Sequence, residues 1–281
     1  ACEARGIEFI GPPNAAIEVM GDKARAKRAM IDASVPCVPG YQGNDQSNAT
    51  LIAEANKIGM PVMVKAAAGG GGRGMRLVHD ASDLESAIEL AQSEAHNAFG
   101  SSELIIEKAV VRPRHVEIQV FADKLGNTIY LGERDCSIQR RHQKVVEEAP
   151  CPVMTPELRM AMGQAAVEAA KAVDYVGAGT VEFLVDSVTN EFYFCEMNTR
   201  LQVEHPATEM VTGVDLVEWQ LRVASGQVLP KDQDSIIEDS NGCAIEARIY
   251  AENPTGDFLP AAGNISYMAT PDTFWSDTSN P

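Results

Sequence analysis

Residues 196–206 read Glu-Met-Asn-Thr-Arg-Leu-Gln-Val-Glu-His-Pro, which puts two carboxylates, two amides and a guanidinium into one short stretch. Carboxylate and amide oxygens are hard donors suited to Mg2+ or Mn2+, above all where a phosphate completes the shell. An arginine followed by a second carboxylate is a place to hold an anion with a base beside it. A solvated charged loop has the same composition, so the chemistry depends on what positions these groups. The run Glu191-Phe-Tyr-Phe-Cys195 just upstream reads as a strand, and residues 180–185 read as its hairpin partner. A loop over residues 186–190 would pair Leu184 with Phe192 and Glu182 with Phe194, which places Glu182, Glu196 and Asn198 on one face. Glu182 interrupts an otherwise apolar strand (Val181, Phe183, Leu184, Val185). Two carboxylates on one partly buried face repel unless a cation neutralises them, whether a divalent metal or a nearby Lys or Arg.

A second concentration is Lys65-Ala-Ala-Ala-Gly-Gly-Gly-Gly-Arg-Gly-Met75. Residues 69–74 satisfy G-x-G-x-x-G in form, but a strand-like Met-Arg-Leu-Val follows where a dinucleotide fold needs a helix. No Gly-Lys-Ser/Thr is present, and Lys65 precedes the glycines, whereas in protein kinases the lysine follows them. What remains is a glycine hairpin whose backbone N–H groups can close over phosphates, with Lys65 supplying charge at its base. Ile105-Ile-Glu-Lys-Ala-Val110 is a strand running into a connector; such a connector can face a purine edge, or be a plain sheet edge.

The elements that must carry these groups alternate between helices and hairpins. Helices are expected over residues 23–33, 50–58, 82–98, 156–173 and 215–225, with Asp22 as an N-cap and Pro36, Gly59 and Gly226 as stops. Strands are expected over residues 61–66, 75–78, 103–108, 115–121 and 128–131, the 115–121 strand alternating as a half-buried one. The class is α+β with largely antiparallel sheets.

Composition narrows the partners. The net charge of −17 excludes a broad nucleic-acid footprint, while Arg112, Arg114 and Arg140-Arg-His-Gln-Lys144 form tight basic spots suited to a small polyanion. The six cysteines show no C-x-x-C pair, which argues against a zinc site or a disulfide framework and fits a reducing intracellular compartment. No apolar run is long enough to span a bilayer. The opening Ala1-Cys-Glu and the polar closing run lead us to expect a piece of a longer protein.

Taken with Phe9-Ile-Gly-Pro12, Met20-Gly-Asp-Lys23, Pro113-Arg-His-Val-Glu117, Glu133-Arg-Asp-Cys-Ser137, Arg140-Arg-His-Gln-Lys-Val-Val-Glu-Glu-Ala-Pro150 and Gln202-Val-Glu-His-Pro206, these strings resemble the biotin carboxylase component of biotin-dependent carboxylases, in the ATP-grasp superfamily. The resemblance covers nearly the whole chain. It implies an ATP-grasp fold in which two α+β lobes clamp ATP. Residues 1–22 would be the remnant of a Rossmann-like N-terminal lobe and 23–36 a connecting helix. Residues 37–109 would form the glycine-loop lid lobe, 110–240 the catalytic lobe and 241–281 the start of an incomplete C-terminal lobe.

The implied activity is an ATP-dependent ligase reaction, the carboxylation of biotin by bicarbonate through carboxyphosphate, as the first half-reaction of an acyl-CoA carboxylase. Carried over residue by residue, Lys23, Lys65, Gly71 and Gly72 would contact the ATP phosphates. Glu107, Lys108, Ala109 and Val110 would hold adenine, with His115 and His142 near ribose and phosphates. Glu182, Glu196 and Asn198 would bind two Mg2+ or Mn2+ ions. Lys144, Arg200, Gln202 and Val203 would form the bicarbonate pocket, with Glu204 as the base, and Arg248 would stabilise the biotin enolate. The implied partners are a biotin carboxyl carrier domain and a carboxyltransferase subunit, in a homo- or hetero-oligomer without nucleic acid or membrane. The implied compartment is bacterial cytoplasm or mitochondrial matrix. The acyl acceptor is set elsewhere, because no Ala-Met-Lys-Met biotin-attachment motif and no carboxyltransferase region is present. A non-catalytic nucleotide-binding remnant and another ATP-grasp ligase, such as a carbamoyl-phosphate synthase half, are the competing readings; the strings at 140–144 and 202–206 favour biotin carboxylase.

Overall fold

The computed structural model describes residues 2–68, 75–140, 143–267 and 269. Two units follow one another along the chain, dividing between Ala247 and Arg248. In the first, α1 (Asn14–Met20) leads into α2 (Lys23–Asp32), whose first turn is capped by the Asp22 carboxylate accepting from the Arg25 N–H at 2.8 Å. A four-stranded antiparallel sheet follows, in the order β1-β4-β2-β3, from β1 (Gly40–Tyr41), β2 (Val62–Ala66), β3 (Met75–Val78) and β4 (Leu104–Lys108). Helices α3 (Asn48–Ile58) and α4 (Leu84–Phe99) cover it. Leu51 and Ala55, with Leu84, Ile88, Ala91 and Ala95, pack on Val62, Val64, Leu104 and Ile106. The three- and four-residue spacing of those helical positions is what makes one apolar stripe per helix.

The larger sheet has six antiparallel strands in the order β10-β7-β6-β5-β8-β9. These are β5 (Arg114–Ala122), β6 (Thr128–Arg140), β7 (Gln143–Ala149), β8 (Gly177–Val185), β9 (Phe192–Asn198) and β10 (Ala244–Ala247). Helix α5 (Pro156–Lys171) lies on one face, N-capped by Thr155, and buries Met162, Ala166, Ala169 and Ala170 against Val116, Ile118, Val120, Val181 and Phe183. Gly163 sits where a Cβ would meet the Tyr130 ring at 2.6 Å, so helix and sheet approach closely there. Helices α6 (His205–Thr212), α7 (Leu216–Ala224) and α8 (Gln233–Asp239) follow on from the sheet's last strand pair, with Trp219 edge-on to Phe121 at 5.6 Å. The second unit contains the short antiparallel pair β11 (Glu252–Asn253) and β12 (Leu259–Pro260).

Strand β5 differs from the half-buried expectation: it is buried on both faces from Val116 to Ala122. Its two faces nonetheless differ in chemistry. Val116, Ile118 and Val120 enter the core under α5, while Glu117 and Gln119 point to the opposite side. The alternation was therefore real, but its polar half faces a buried polar cluster instead of water. Strand β8 repeats the pattern with Thr180 and Glu182. Helix α2 joins the two sheets: Ala24 packs with Ala67 and Ile105 of the small sheet, and Ala26 and Met30 enter the large core. Among the described residues, no helix is long and apolar enough to cross a membrane.

Candidate active site

The β8–β9 hairpin builds the carboxylate pair by a different register from the one expected. Val185 faces Phe192, Leu184 faces Tyr193 and Phe183 faces Phe194. The Asp186 carboxylate accepts from the Val188 and Thr189 N–H groups, and Asp186 N–H donates to the Glu191 carbonyl, so the turn absorbs one more residue than expected. Continued unbroken, that register would set Glu182 against Cys195 and turn Glu196 to the far face. The register instead shifts between Glu182 and Phe183, so that Glu182 faces Glu196 and Thr180 faces Asn198. The shift is a bulge at Cys195, a device that re-aims side chains beside functional sites. The shared face thus survives, but because of the bulge.

Lys144 is the hub. Its ammonium on β7 donates to Glu117 on β5, to Glu182 Oε1 on β8 at 2.5 Å and to Glu204 Oε1 before α6 at 2.9 Å. Burial alone would lower the lysine pKa, but Glu117 and Glu182, with Glu204 behind them, raise it and keep the ammonium charged. Burial pushes the Glu204 carboxyl up, yet attraction and hydrogen bonding from Lys144 outweigh it and hold it below the carboxylate range. Glu204 is therefore an ionised, acceptor-only group, which is what a base requires. For Glu182 burial again opposes ionisation, but the hydrogen bond from His115 Nε2 at 2.6 Å and the charge of Lys144 bring its pKa down to about 2. Glu196 goes the other way, raised by burial and then by the charge of Glu182.

Burial and Glu182 push Glu196 toward neutrality against the weaker pull of Lys23, His115 and Lys144, and a carboxylate pair in that state has the donor chemistry of a divalent-cation site. Asn198 belongs to the same set, its Nδ2 on Glu182 Oε1 at 2.7 Å and its Oδ1 facing Arg200 Nη2 at 3.5 Å. Glu117, Cys136 and Glu204 also bring ligand atoms within 4.8 Å of one another, but there the Lys144 ammonium already supplies the cation.

Around this centre, Gln202 is buried and donates to Glu182 Oε1 at 3.3 Å, while Val203 is exposed. Arg200 is exposed and bonds the Leu201 carbonyl at 3.2 Å. Arg248 lies in the second unit. Gly71, Gly72 and His142 fall outside the described residues. Lys65 and Glu107 come together at 2.5 Å, and the other Glu107 oxygen takes Lys27 at 2.7 Å. The Glu107 side chain is thus committed to two ammonium groups; burial opposes its ionisation, but the charges and hydrogen bonds of Lys65 and Lys27 outweigh burial and leave it ionised. The adenine connector is partly committed too: Lys108 N–H donates to the Pro39 carbonyl and Ala109 N–H to that of Pro61. Those two residues keep only their carbonyls for a base edge.

Lys27 and Arg134 carry weight that the sequence reading missed. Lys27 lies four residues beyond Lys23 on α2, hence on the same helix face, and that spacing was a usable signal. Gly40 makes room for it, since a Cβ there would stand 2.9 Å from Lys27 Nζ and 2.4 Å from the Ile106 carbonyl oxygen. Arg134 sits inside Glu133-Arg-Asp-Cys-Ser137, with nothing local to show that it is buried.

The family model of the carbamoyl-phosphate synthase L chain, ATP binding domain, matches residues 22–232. The mitochondrial methylcrotonoyl-CoA carboxylase subunit alpha of Dictyostelium discoideum is 58% identical over 270 residues, covering 96% of this chain and 38% of that protein. The chloroplastic biotin carboxylase of Arabidopsis thaliana is 54% identical over 268 residues, 95% of this chain and 49% of that protein. Among solved structures, the biotin carboxylase domain of the Hydrogenobacter thermophilus 2-oxoglutarate carboxylase, in complex with MgADP, ADP and bicarbonate, superimposes with a TM-score of 0.90 at 50% identity, over 97% of this chain and 60% of that one. The chain thus spans less than half the length of the two curated relatives, and its α+β architecture is the ATP-grasp fold of the biotin carboxylase neighbours. The chain belongs to the carbamoyl-phosphate synthase L chain ATP-binding domain family and, within it, to the biotin carboxylases of biotin-dependent carboxylases.

Proposed function

We propose that this chain provides the ATP and bicarbonate site that carboxylates biotin, as the first half-reaction of an acyl-CoA carboxylase. The observation that carries the reading is the Glu204 carboxylate, buried yet held ionised by Lys144 within the polar cluster that also contains Gln202 and Glu182. Bicarbonate is a weak nucleophile until it loses its proton. Glu204 takes that proton while Lys144, Arg200, Gln202 and the backbone of Val203 hold the anion. The resulting oxyanion attacks the γ-phosphorus of ATP, ADP leaves, and carboxyphosphate forms. The carboxyl group then passes to the ureido nitrogen of biotin, whose proton is taken by the released phosphate, with Arg248 stabilising the enolate.

Lys23, Lys65, Gly71 and Gly72 would hold the phosphates, with His115 and His142 serving ribose and phosphates. The connector from Glu107 through Lys108 and Ala109 to Val110 takes adenine. Glu182, Glu196 and Asn198 would hold the Mg2+ or Mn2+ ions, two in number; these supply positive charge that neutralises phosphoryl oxygens. Carboxyphosphate hydrolyses readily, so the site must exclude water while it forms.

Biotin arrives on a carrier domain, and a carboxyltransferase consumes the product, in an oligomeric assembly. The compartment is the mitochondrial matrix or bacterial cytoplasm; the Arabidopsis relative, named chloroplastic, adds a plastid setting. The test is ATP hydrolysis by a full-length carboxylase carrying this sequence, with and without bicarbonate and free biotin. Hydrolysis should depend on bicarbonate and rise with biotin, and equal rates in all conditions refute the mechanism.

A further inference from the structure

Arg134, on β6, has no side-chain exposure and commits every nitrogen of its guanidinium to the polar frame beneath the site. Its Nε donates to Glu117 Oε1 at 2.6 Å. Nη1 donates to Gln119 Oε1 at 2.9 Å and to Thr208 Oγ1 at 2.7 Å, and Nη2 reaches Gln202 Oε1 at 3.2 Å and Thr180 Oγ1 at 3.4 Å. Five acceptors thus meet the five N–H groups of one side chain. They come from β5, β8, the segment after β9, and α6.

We propose that Arg134 is a positioning residue for the bicarbonate pocket, clamping the Gln202 amide and the Glu117 carboxylate so that Gln202 and Lys144 meet the anion in fixed places. The inference rests on reading residues 200–204 as that pocket.

Two links carry it. Because the Gln202 carbonyl oxygen accepts from Arg134, its NH2 must point the other way, toward Glu182 at 3.3 Å. Glu117 divides its oxygens, Oε1 to Arg134 and Oε2 to Lys144, so the guanidinium also sets where the ammonium is anchored. Gln202 and Thr208 lie on either side of Glu204 in the chain, so one planar group fixes the segment that carries the base from both ends. Cohesion alone is a weak reason for such a group, since apolar residues of equal volume hold a core as well as a buried ion pair does. Directional donors in a rigid fork are what arginine adds and lysine lacks.

The test uses R134K and T208V in a full-length carboxylase carrying this sequence. R134K keeps the charge beside Glu117 and loses the fork, and should raise the KM for bicarbonate by about tenfold or more, because displacements near 1 Å are costly at reacting centres. The KM for ATP should stay put. T208V removes one acceptor outside the pocket and should raise the bicarbonate KM by a smaller factor with only a modest loss of Tm; it carries the test if R134K does not fold. Hydrogen exchange across residues 201–205 should quicken in both variants while the four-stranded sheet is unaffected. A lowered Tm or kcat with bicarbonate KM and exchange over 201–205 unchanged overturns the proposal and leaves Arg134 merely structural. Absence of bicarbonate-dependent hydrolysis in the wild type would instead overturn the proposed function, and the exchange pattern would still decide whether Arg134 positions the segment.

Discussion

Replacing Lys144 with methionine removes the one ammonium shared by three carboxylates whose side chains are 0%, 4% and 2% exposed. Glu117 keeps Arg134, Glu182 keeps His115 and Glu204 keeps the weaker attraction of Arg134, but Glu204 loses the largest of the influences that lower its pKa. Lys144 is the main attraction holding the Glu204 carboxyl below its ordinary value of 4.5, and with it gone, burial raises that value. Breaking a buried ion pair from one side costs about 3–5 kcal/mol. Protonation limits the loss, because neutralising a carboxyl of ordinary pKa 4.5 at pH 7 costs about 3.4 kcal/mol. At pH 5 the same step costs only about 0.7 kcal/mol. The folded variant therefore holds one more proton than its unfolded chain, and it regains stability as pH falls. Urea unfolding of wild type and K144M should show a deficit of about 3 kcal/mol at pH 7 that shrinks below about 1 kcal/mol at pH 5. A deficit of equal size at both pH values refutes the reasoning.

Three further outcomes follow from the same frame. K27M leaves Glu107 with Lys65 as its remaining buried ammonium partner and should lower the unfolding free energy by about 3 kcal/mol and weaken nucleotide binding, checked by denaturation and by nucleotide titration. E196Q removes the charge that burial and Glu182 disfavour, so the Tm in EDTA should rise while the Mg2+-induced Tm shift is lost; an undiminished Mg2+ shift would remove Glu196 from the metal site.

The His115–Glu182 pair should give stability a two-sided pH profile. Burial opposes the charge on His115, but Glu182 raises its pKa above the ordinary 6.5, so its contribution is full below that pH and lost as pH rises through the raised value. Glu182, with its pKa brought down to about 2 despite burial, contributes above pH 4.5 and loses this as pH falls toward 2. H115Q should flatten the alkaline limb of a Tm–pH profile, and an unchanged limb rules the pair out as its cause.

Much of the site could be read from local pattern because its groups lie on regular elements. Strand alternation and capping signals found β2, β3, β5, β8 and β9 and helices α2 to α5 to within a few residues. The strings at 140–144 and 196–206 marked the groups that gather around Glu182, including Lys144, Asn198, Gln202 and Glu204. Strands β7 and β10 escaped notice. β7 carries a charged run, Gln143-Lys-Val-Val-Glu-Glu, whose strand state rests on pairing with β6 and β10, and those partners are remote or irregular in register.

Residue type and spacing by themselves pointed to a class of chemistry: hard oxygen ligands, an arginine and a carboxylate suited to an anion and its base, and a glycine-rich run suited to phosphates. Which carboxylate does what was decided only by the tertiary structure. The bulge at Cys195 sets Glu196 opposite Glu182 against the register of the turn, and because the extra turn residue and the bulge each shift the pairing by one, they cancel and the alternation of the sequence shows neither. Lys144, Arg134 and Lys27 acquire their partners across 15 to 80 residues of chain. The ionisation of Glu182 and Glu204 depends on those partners and on exclusion of water, both of which exist only once the sheet has closed around them.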